Sequence, residues 1–311
     1  MNNRLNQPNS FTQILDLTFR IGKEHFRNFF FILFVFMGPL FLLQALLELR
    51  FGLSLINFGT DDANADFFER MISRFDSSFY DEGLYGVDLY GTEIVTIIVA
   101  FATMILAPIS TAAIVIAINK IRKNETYTVG SVIKEAFRRF FPLMGGSIVY
   151  GLIIFFVSII SILLVVLAIY LSGGFDGNII ATVLIIIASV IGVIIGLGYF
   201  FTRISFYLTA IAAGEKSPGI GASFRLSRGR GWILFGLIIV FSIITTTVAS
   251  AFEVVLSLVF GASVLLSLSS NLLSIITTMF MTIGYAVMFF DMKARHDGDD
   301  LDQLLNEYEQ Q

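Results

Sequence analysis

Six long runs of apolar residues constrain what this chain can form more than any other feature of its sequence. A helix needs roughly 20 apolar residues to cross the hydrocarbon core of a bilayer, and each run is close to or above that length. The runs are continuous, whereas spanning strands alternate over about ten residues. We therefore predict an all-α, polytopic membrane protein with six transmembrane helices, at residues 29–49, 94–118, 143–171, 179–201, 232–256 and 272–290.

Composition supports this class and disfavours soluble enzymes. The chain is 56% hydrophobic and 14% charged, where soluble domains carry roughly 25% charged residues. It has no cysteine, and its two histidines, His25 and His296, lie in polar flanks. Phosphate-binding glycine loops and serine-nucleophile elbows are absent from the sequence. We therefore expect no enzymatic activity, no cofactor, no metal site and no nucleic-acid partner.

The basic residues are distributed unevenly between the connecting segments. Seventeen of the 20 Lys and Arg residues lie in the N-terminal flank, the second loop, the fourth loop and the tail, which six spans would place on the same side of the membrane. The other three lie in the first loop, on the opposite side. Because cytoplasmic loops collect Lys and Arg, both termini are predicted to face the cytoplasm. This gives a single membrane domain over residues 1–311, with a cytoplasmic flank at 1–28, an acidic extracytoplasmic loop at 50–93 and a cytoplasmic tail at 291–311.

A Phe-Arg pair precedes each of the first, third and fifth spans. Each pair lies in a short segment with helical spacing of apolar residues, and Ser217-Pro218 is predicted to begin the third such helix. We expect interfacial helices whose rings enter the acyl boundary while their arginines meet anionic lipid headgroups. The favoured architecture is a three-fold repeat of interfacial helix plus two-span hairpin; alternatively, each segment obeys the positive-inside rule independently. These lipid- or partner-facing basic motifs comprise Phe19, Arg20, Phe137, Arg138, Phe224, Arg225, Arg228 and Arg230.

Proline and glycine mark special positions inside three spans. Pro39 and Pro108 fall within the first and second spans, where proline removes a backbone hydrogen bond and kinks a helix. Gly192 and Gly196 form a small-xxx-small pair in the fourth span, a pattern typical of close helix packing.

Ionisable residues are scarce within the spans. Glu48 closes the first span and is predicted to reach the interface by snorkelling. Glu253 is the best candidate for an occluded carboxylate, although a structural role is favoured. Polar residues of the last two spans either hydrogen-bond between helices, the favoured interpretation, or line a polar path; they are Thr245, Thr246, Thr247, Ser250, Asn271, Thr277 and Thr278.

Two motifs in the last third of the chain resemble those of a bacterial family, the glycerophosphoryl diester phosphodiesterase membrane-domain family. The first comprises Phe224, Arg225, Ser227, Gly229, Arg230 and Trp232, and the second, in the tail, comprises Asp291, Lys293, Arg295, Gly298, Asp300 and Leu301. His296-Asp297 departs from the usual Lys-Glu of that tail. The family's catalytic domain has no counterpart here, so the resemblance implies a six-helix membrane module in a bacterial cytoplasmic membrane.

Three functions remain open at this stage. The favoured one is a non-enzymatic accessory, regulatory or scaffold module that binds anionic lipid or a membrane-protein partner through its basic helices. A transporter or permease-like protein for a small or lipidic substrate is the second, and a polar cavity reaching the bilayer midplane would place it first. The third is an immunity or resistance protein whose acidic loop intercepts cationic peptides.

Overall fold

The computed structural model describes residue 5 and residues 7–56, 89–171 and 179–309 of the 311-residue chain. All regular secondary structure in this described part is helical. The helices are α1 (Phe11–Glu24), α2 (Phe26–Arg50), α3 (Leu89–Arg122), α4 (Val129–Arg138), α5 (Phe140–Leu171), α6 (Ile179–Ile204), α7 (Tyr207–Ala213), α8 (Ile220–Leu226), α9 (Gly231–Phe260) and α10 (Val264–Glu309).

Helices α2, α3, α5, α6, α9 and α10 are long and apolar enough to cross a membrane, which confirms a multi-pass membrane protein. Each predicted span lies inside one of these helices. The largest difference is at the end of the chain, where the predicted span 272–290 and its tail form one helix, Val264–Glu309. Most of the predicted loop at 50–93 lies outside the described residues, which resume at Leu89.

A short amphipathic helix precedes each pair of long helices, as the Phe-Arg pattern predicts. In α1, Ile14, Leu17 and Ile21 are buried on the face that packs against α10. In α4, the N-cap residue Thr128 exchanges hydrogen bonds with Ser131, which satisfies amide groups that a helix start leaves unpaired. Short helices at these positions match the expected order of interfacial helix and two-span hairpin.

The predicted start of the third short helix is wrong by two residues. Helix α8 begins at Ile220, and its N-cap is Gly219 with φ 73°. Ser217 does not cap the helix because its hydroxyl donates instead to the carbonyl oxygen of Pro142, at 3.1 Å. The turn before α8 is thereby tied to the start of α5.

The core of the molecule lies between α2, α3 and α10, with α1 and α7 packed onto it. Phe29, Ile109 and Phe289 are fully buried there. Few residues of α5 are buried, namely Leu143, Gly146 and Ser161. Most of the α5–α6 surface is therefore apolar and exposed, as a lipid-facing surface is.

The prolines and glycines singled out within the spans have different environments. Pro39 and Pro108 both lie inside uninterrupted helices. A Cβ atom placed on Gly192 or Gly196 meets no atom within 4 Å, so the chain's own helices do not pack against this pair as predicted. The close approach is at Gly198, where a Cβ atom would lie 2.7 Å from the Phe235 ring of α9.

Candidate functional site

A cavity of about 430 Å³ lies between α3, the α6–α7 junction, α7, α9 and α10. Nine of its twelve lining residues carry a hydroxyl group, and none is charged. The hydroxyl-bearing residues are Thr111, Ser205, Thr209, Thr245, Thr246, Thr277, Thr278, Thr282 and Tyr285; the others are Leu208, Ala249 and Met281. We call this cavity the hydroxyl pocket. Its volume is within the range of small-molecule sites.

The hydroxyl pocket takes most of its lining from one face of α9 and one face of α10. On α9 and α10 the lining residues recur three or four positions apart, which places them on the same side of a helix. Thr245 is near the midpoint of α9 (Gly231–Phe260), and Thr278 is close to the middle of the candidate span Val264–Asp297. The pocket therefore reaches the middle of the spans.

Exposure differs along the pocket wall. Thr209 and Thr282 are buried, whereas Thr246 and Thr278 are exposed. Because the exposed pair lies halfway along α9 and α10, the pocket opens sideways at mid-span rather than only at a helix end. Its other limit is at Thr209, about one turn before the end of α7 at Ala213.

Several hydroxyl groups that line the pocket already donate hydrogen bonds to backbone carbonyl oxygens. Thr245 donates to the carbonyl oxygen of Phe241 at 2.8 Å, Ser205 donates to that of Thr202 at 2.9 Å, and Thr277 donates within α10. A hydroxyl group that donates to its own helix keeps its oxygen lone pairs as acceptors. These three groups therefore offer acceptors, and they suit a ligand that carries hydrogen-bond donors.

A second candidate site is the end of the bundle where α1, α4, α7 and α8 lie. We call this the basic end and define it as the described residues of 5–28, 119–142, 203–231 and 291–297. Its centre is Asp291, which is 3% exposed and 3.1 Å from Nε of Arg295 and 3.4 Å from Nη1 of Arg230. The backbone N–H of Asn9 also donates to Asp291, and Arg295 donates to the backbone carbonyl oxygen of Asn9 at 2.8 Å.

Asp291 therefore joins three segments that are distant in sequence. Arg230 belongs to the first family-like motif, Asp291 and Arg295 belong to the tail motif, and Asn9 precedes α1. Lys293 of the same tail motif pairs with Glu215 at 3.0 Å. The ion pairs made by these motif residues hold distant segments of the chain together. The environments of the remaining tail-motif residues, Gly298, Asp300 and Leu301, lie outside the described part.

Arg139, which the sequence analysis did not single out, closes the end of α7. Its Nη1 atom donates to the carbonyl oxygens of Ile211 and Ala212, at 2.8 and 3.1 Å. Helix ends leave such carbonyls unpaired, and a cation there also suits the helix dipole. The only local signal is its place directly after the Phe137-Arg138 pair, and nothing in the pattern predicts a contact more than 70 residues away.

The three predicted Phe rings all contact other aromatic or cationic groups. Phe19 lies 5.5 Å from the Phe280 ring and Phe137 lies 5.6 Å from the Phe36 ring, centroid to centroid. The guanidinium carbon of Arg203 lies 3.7 Å from the Phe224 ring centroid. Each ring is also partly exposed, between 38% and 49%. These contacts connect the short helices to the long ones.

The predicted arginines fall into three environments. Arg230 is paired with Asp291. Two guanidinium nitrogens of Arg20, Nε and Nη2, are buried without a hydrogen-bond partner. By contrast, Arg138, Arg225 and Arg228 are exposed, and within the described residues none of their side chains makes an ion pair or hydrogen bond. Only this last group is free to meet a headgroup or partner.

The junction of α1 and α2 is anchored by a loop tyrosine. The side-chain amide of Asn28 donates to the Tyr127 hydroxyl at 3.5 Å, and the His25 ring lies 6.3 Å from the Tyr127 ring. Burial raises the pKa of Tyr127 above its ordinary value, and the hydrogen bond from Asn28 opposes that shift. Tyr127 is thus neutral at physiological pH and acts as a structural contact.

The predicted acidic candidate in the fifth span is not occluded. Glu253 is exposed, whereas Glu48, predicted to snorkel, is only 7% exposed. The reason is that Glu48 lies on the α2 face that meets α10, where Gln44 donates to it at 2.8 Å. Among the described residues no group of three or more His, Asp or Glu side chains has the proximity of a metal site.

Comparison with known proteins identifies no relative: no family model, no curated protein and no solved structure matches this chain. The resemblance carried by residues 224–232 and 291–301 therefore stays a prediction.

Proposed function

We propose that this multi-pass protein is a permease-like membrane module that binds a lipidic molecule with an uncharged, hydrogen-bond-donating head in the hydroxyl pocket. The observation that carries this proposal is the pocket itself, with nine hydroxyl-bearing residues, no charge and an opening at mid-span. The hydroxyl groups of its lining and its reach to the middle of the spans support the permease-like function over the accessory one. The pocket would bind its ligand without catalysing a reaction on it.

The chemistry of the wall selects the ligand class. A charged headgroup would be desolvated in the pocket without a countercharge, which costs much more than burial of a hydroxyl group that finds acceptors. Threonine also presents a methyl group beside each hydroxyl, so the wall suits the glycerol region of a lipid. The acyl chains of such a lipid would leave through the opening at Thr246 and Thr278. Diacylglycerol has this chemistry and is the probe of choice.

The test compares two neighbouring threonines of α9. Thr246→Phe places a ring in the pocket, whereas Thr247→Phe places the same ring on an adjacent, exposed position outside it. Native mass spectrometry of the full chain, purified in mild detergent with diacylglycerol added, should show one bound lipid per chain for wild type and Thr247→Phe. Thr246→Phe should lose it. Equal retention by both variants, or none by wild type, would refute the proposal.

A second candidate function is favoured by the three exposed, unpartnered arginines. We propose that the basic end faces the cytoplasm of a bacterial cell and that Arg138, Arg225 and Arg228 hold anionic headgroups or a membrane-protein partner, as in an accessory module. Each basic residue near an anionic surface contributes about 1 kcal/mol of attraction. The immunity alternative has no such support, since most of the acidic loop lies outside the described residues.

Headgroup selectivity tests this second candidate. The triple change of Arg138, Arg225 and Arg228 to Gln should lower retention of phosphatidylglycerol relative to phosphatidylcholine when the protein is delipidated from an equimolar mixture. Arg139→Gln is the matched control, because Arg139 is committed to the carbonyls at the end of α7. It should leave headgroup selectivity unchanged. Unchanged selectivity in the triple variant would remove the accessory reading of these arginines.

A further inference from the structure

Glu48 is a buried carboxylate near the end of α2 that is opposite the basic end. It is 7% exposed, so it is more than nine-tenths buried. One of its oxygens, Oε1, accepts a hydrogen bond from the Gln44 amide at 2.8 Å. The other, Oε2, is shielded from solvent and has no hydrogen-bond partner. Within the described residues no basic side chain forms an ion pair with Glu48.

Gln44 connects Glu48 to α10. The Asn271 amide of α10 donates to Gln44 Oε1 at 3.1 Å, which places the two helices in contact at this level. The neighbouring residue, Ser270, has a buried hydroxyl that also lacks a partner. Glu48 Oε2 and Ser270 Oγ are the buried side-chain oxygens without partners in the described part. Ser270 lies on α10 directly before Asn271.

An uncompensated buried carboxylate is costly. Removing an ionised carboxylate from water costs several kcal/mol unless a countercharge is present, and buried charges are normally paired or bound to an ion. A buried carboxylate with an unpaired oxygen is therefore suited to binding a cation. Hard cations prefer carboxylate, amide and hydroxyl oxygens, which are the groups present here. The adjacent C-terminal end of α2 adds a further favourable potential for a cation.

We propose that Glu48, Ser270 and Asn271 bind a monovalent alkali cation, while Gln44 holds the carboxylate in place by donating to Glu48 Oε1. Glu48 supplies the single negative charge, and the hydroxyl oxygen of Ser270 and the amide oxygen of Asn271 complete the shell together with water. A monovalent ion fits because one carboxylate balances one positive charge, whereas divalent sites in proteins draw on several carboxylates. The site is separate from the hydroxyl pocket, and the inference does not rest on the proposed function.

The test measures cation binding by the full-length protein in detergent. Radioactive sodium, and radioactive rubidium in place of potassium, should bind saturably to wild type and be displaced by excess unlabelled cation. The Tm should rise by about 5 °C when the preferred cation is raised to 100 times its Kd at constant ionic strength, with N-methylglucamine as the reference cation. Glu253→Gln, which removes an exposed carboxylate, should show the same binding and the same rise.

Glu48→Gln should lose both tracer binding and the cation-dependent rise in Tm. In N-methylglucamine it should be at least as stable as wild type, because the uncompensated charge is gone. Ser270→Ala keeps the carboxylate and should weaken binding without abolishing it, which covers the case in which Glu48→Gln does not fold. A wild-type protein that binds neither tracer and has one Tm in every salt would overturn the site. Retained binding in Glu48→Gln would overturn it as well.

Discussion

At the scale of single residues, the basic end depends on one carboxylate. Asp291 is 3% exposed, while its partners Arg230 and Arg295 are 32% and 28% exposed. The arginines can therefore be solvated when the carboxylate is lost, but the carboxylate has no comparable access to water. This asymmetry makes Asp291 the residue on which the contact between the N-terminal segment, the α8–α9 turn and α10 depends.

Asp291→Asn should lower the free energy of unfolding by about 2–3 kcal/mol, because removing one member of a buried ion pair leaves the other charges without compensation. We place the cost below that of a fully buried pair, since both arginines are partly solvated. The measurement is the Tm of the purified protein, which should fall by about 3–5 °C.

Glu253→Gln is the control for this change, because Glu253 is exposed and has no ion-pair partner among the described residues. Its Tm should match that of wild type within about 1 °C, as is usual for surface substitutions. A wild-type Tm for Asp291→Asn would show that the network does not stabilise the fold.

The sequence predicts which residue types are unusual in the spans but not which of them are buried. Glu48 and Glu253 both lie near span ends, and hydropathy alone treats them alike. Burial depends on the face of the helix and on the neighbour it meets, and Glu48 meets α10 while Glu253 meets none. Asp291 and Arg295 share a motif, but their link to Arg230 and Asn9 requires the tertiary fold.

At the scale of helices and turns, the segment between α7 and α8 packs back onto α7, which carries part of the lining of the hydroxyl pocket. Ser205, Leu208 and Thr209 line the pocket, and the α7 helix that carries the last two ends at Gly214, with φ 105°. The chain then turns back to Gly219, whose φ of 73° lies in the left-handed region that favours glycine. A Cβ atom there would lie 2.5 Å from the carbonyl oxygen of Tyr207.

Gly219→Ala should therefore destabilise the protein by about 1–3 kcal/mol, because it combines an unfavourable backbone conformation with a contact that backbone atoms cannot easily relieve. The effect is measured as a fall in Tm. Since α7 would have to move, diacylglycerol retention should fall in the same variant.

Gly221→Ala is the matched control two residues along the chain. A Cβ atom at Gly221 meets nothing within 4 Å, and alanine is a better helix former than glycine by up to about 1 kcal/mol. Its Tm should equal or slightly exceed that of wild type. Equal Tm values for the two variants would show that the turn is not strained by a side chain at residue 219.

Sequence patterns predict most of the helices. They also mark several residues of the hydroxyl pocket as polar, but they do not predict the pocket itself. Apolar length gives the long helices, and three- and four-residue periodicity gives α1, α4 and α8 but not α7. The same periodicity marks Thr245, Thr246, Thr277 and Thr278 as polar positions, yet packing was the favoured interpretation. The pocket draws its wall from α3, α7, α9 and α10, and their relative rotation is not encoded in any one of them.

At the scale of the whole molecule, the two ends of the bundle differ in chemistry. The basic end gathers the short helices, the Asp291 network and the exposed arginines, while the opposite end carries Glu48 and the segment near Leu55. The Lys and Arg distribution favours a cytoplasmic location for the basic end. The hydroxyl pocket then reaches from mid-membrane toward the cytoplasm, and the proposed cation site lies toward the outside.

Cysteine labelling in intact cells tests this orientation, and the absence of native cysteine makes every labelled site unambiguous. Leu55→Cys introduces a thiol at a 58% exposed position opposite the basic end, and Lys216→Cys introduces one at an exposed position of the basic end. A membrane-impermeant maleimide should label the first variant in intact cells and the second only after permeabilisation, because basic segments are retained in the cytoplasm. The unmodified chain should stay unlabelled in both conditions. Labelling of Lys216→Cys in intact cells would reverse the orientation, and the arginines of the basic end would then face away from the anionic inner surface that they are proposed to bind.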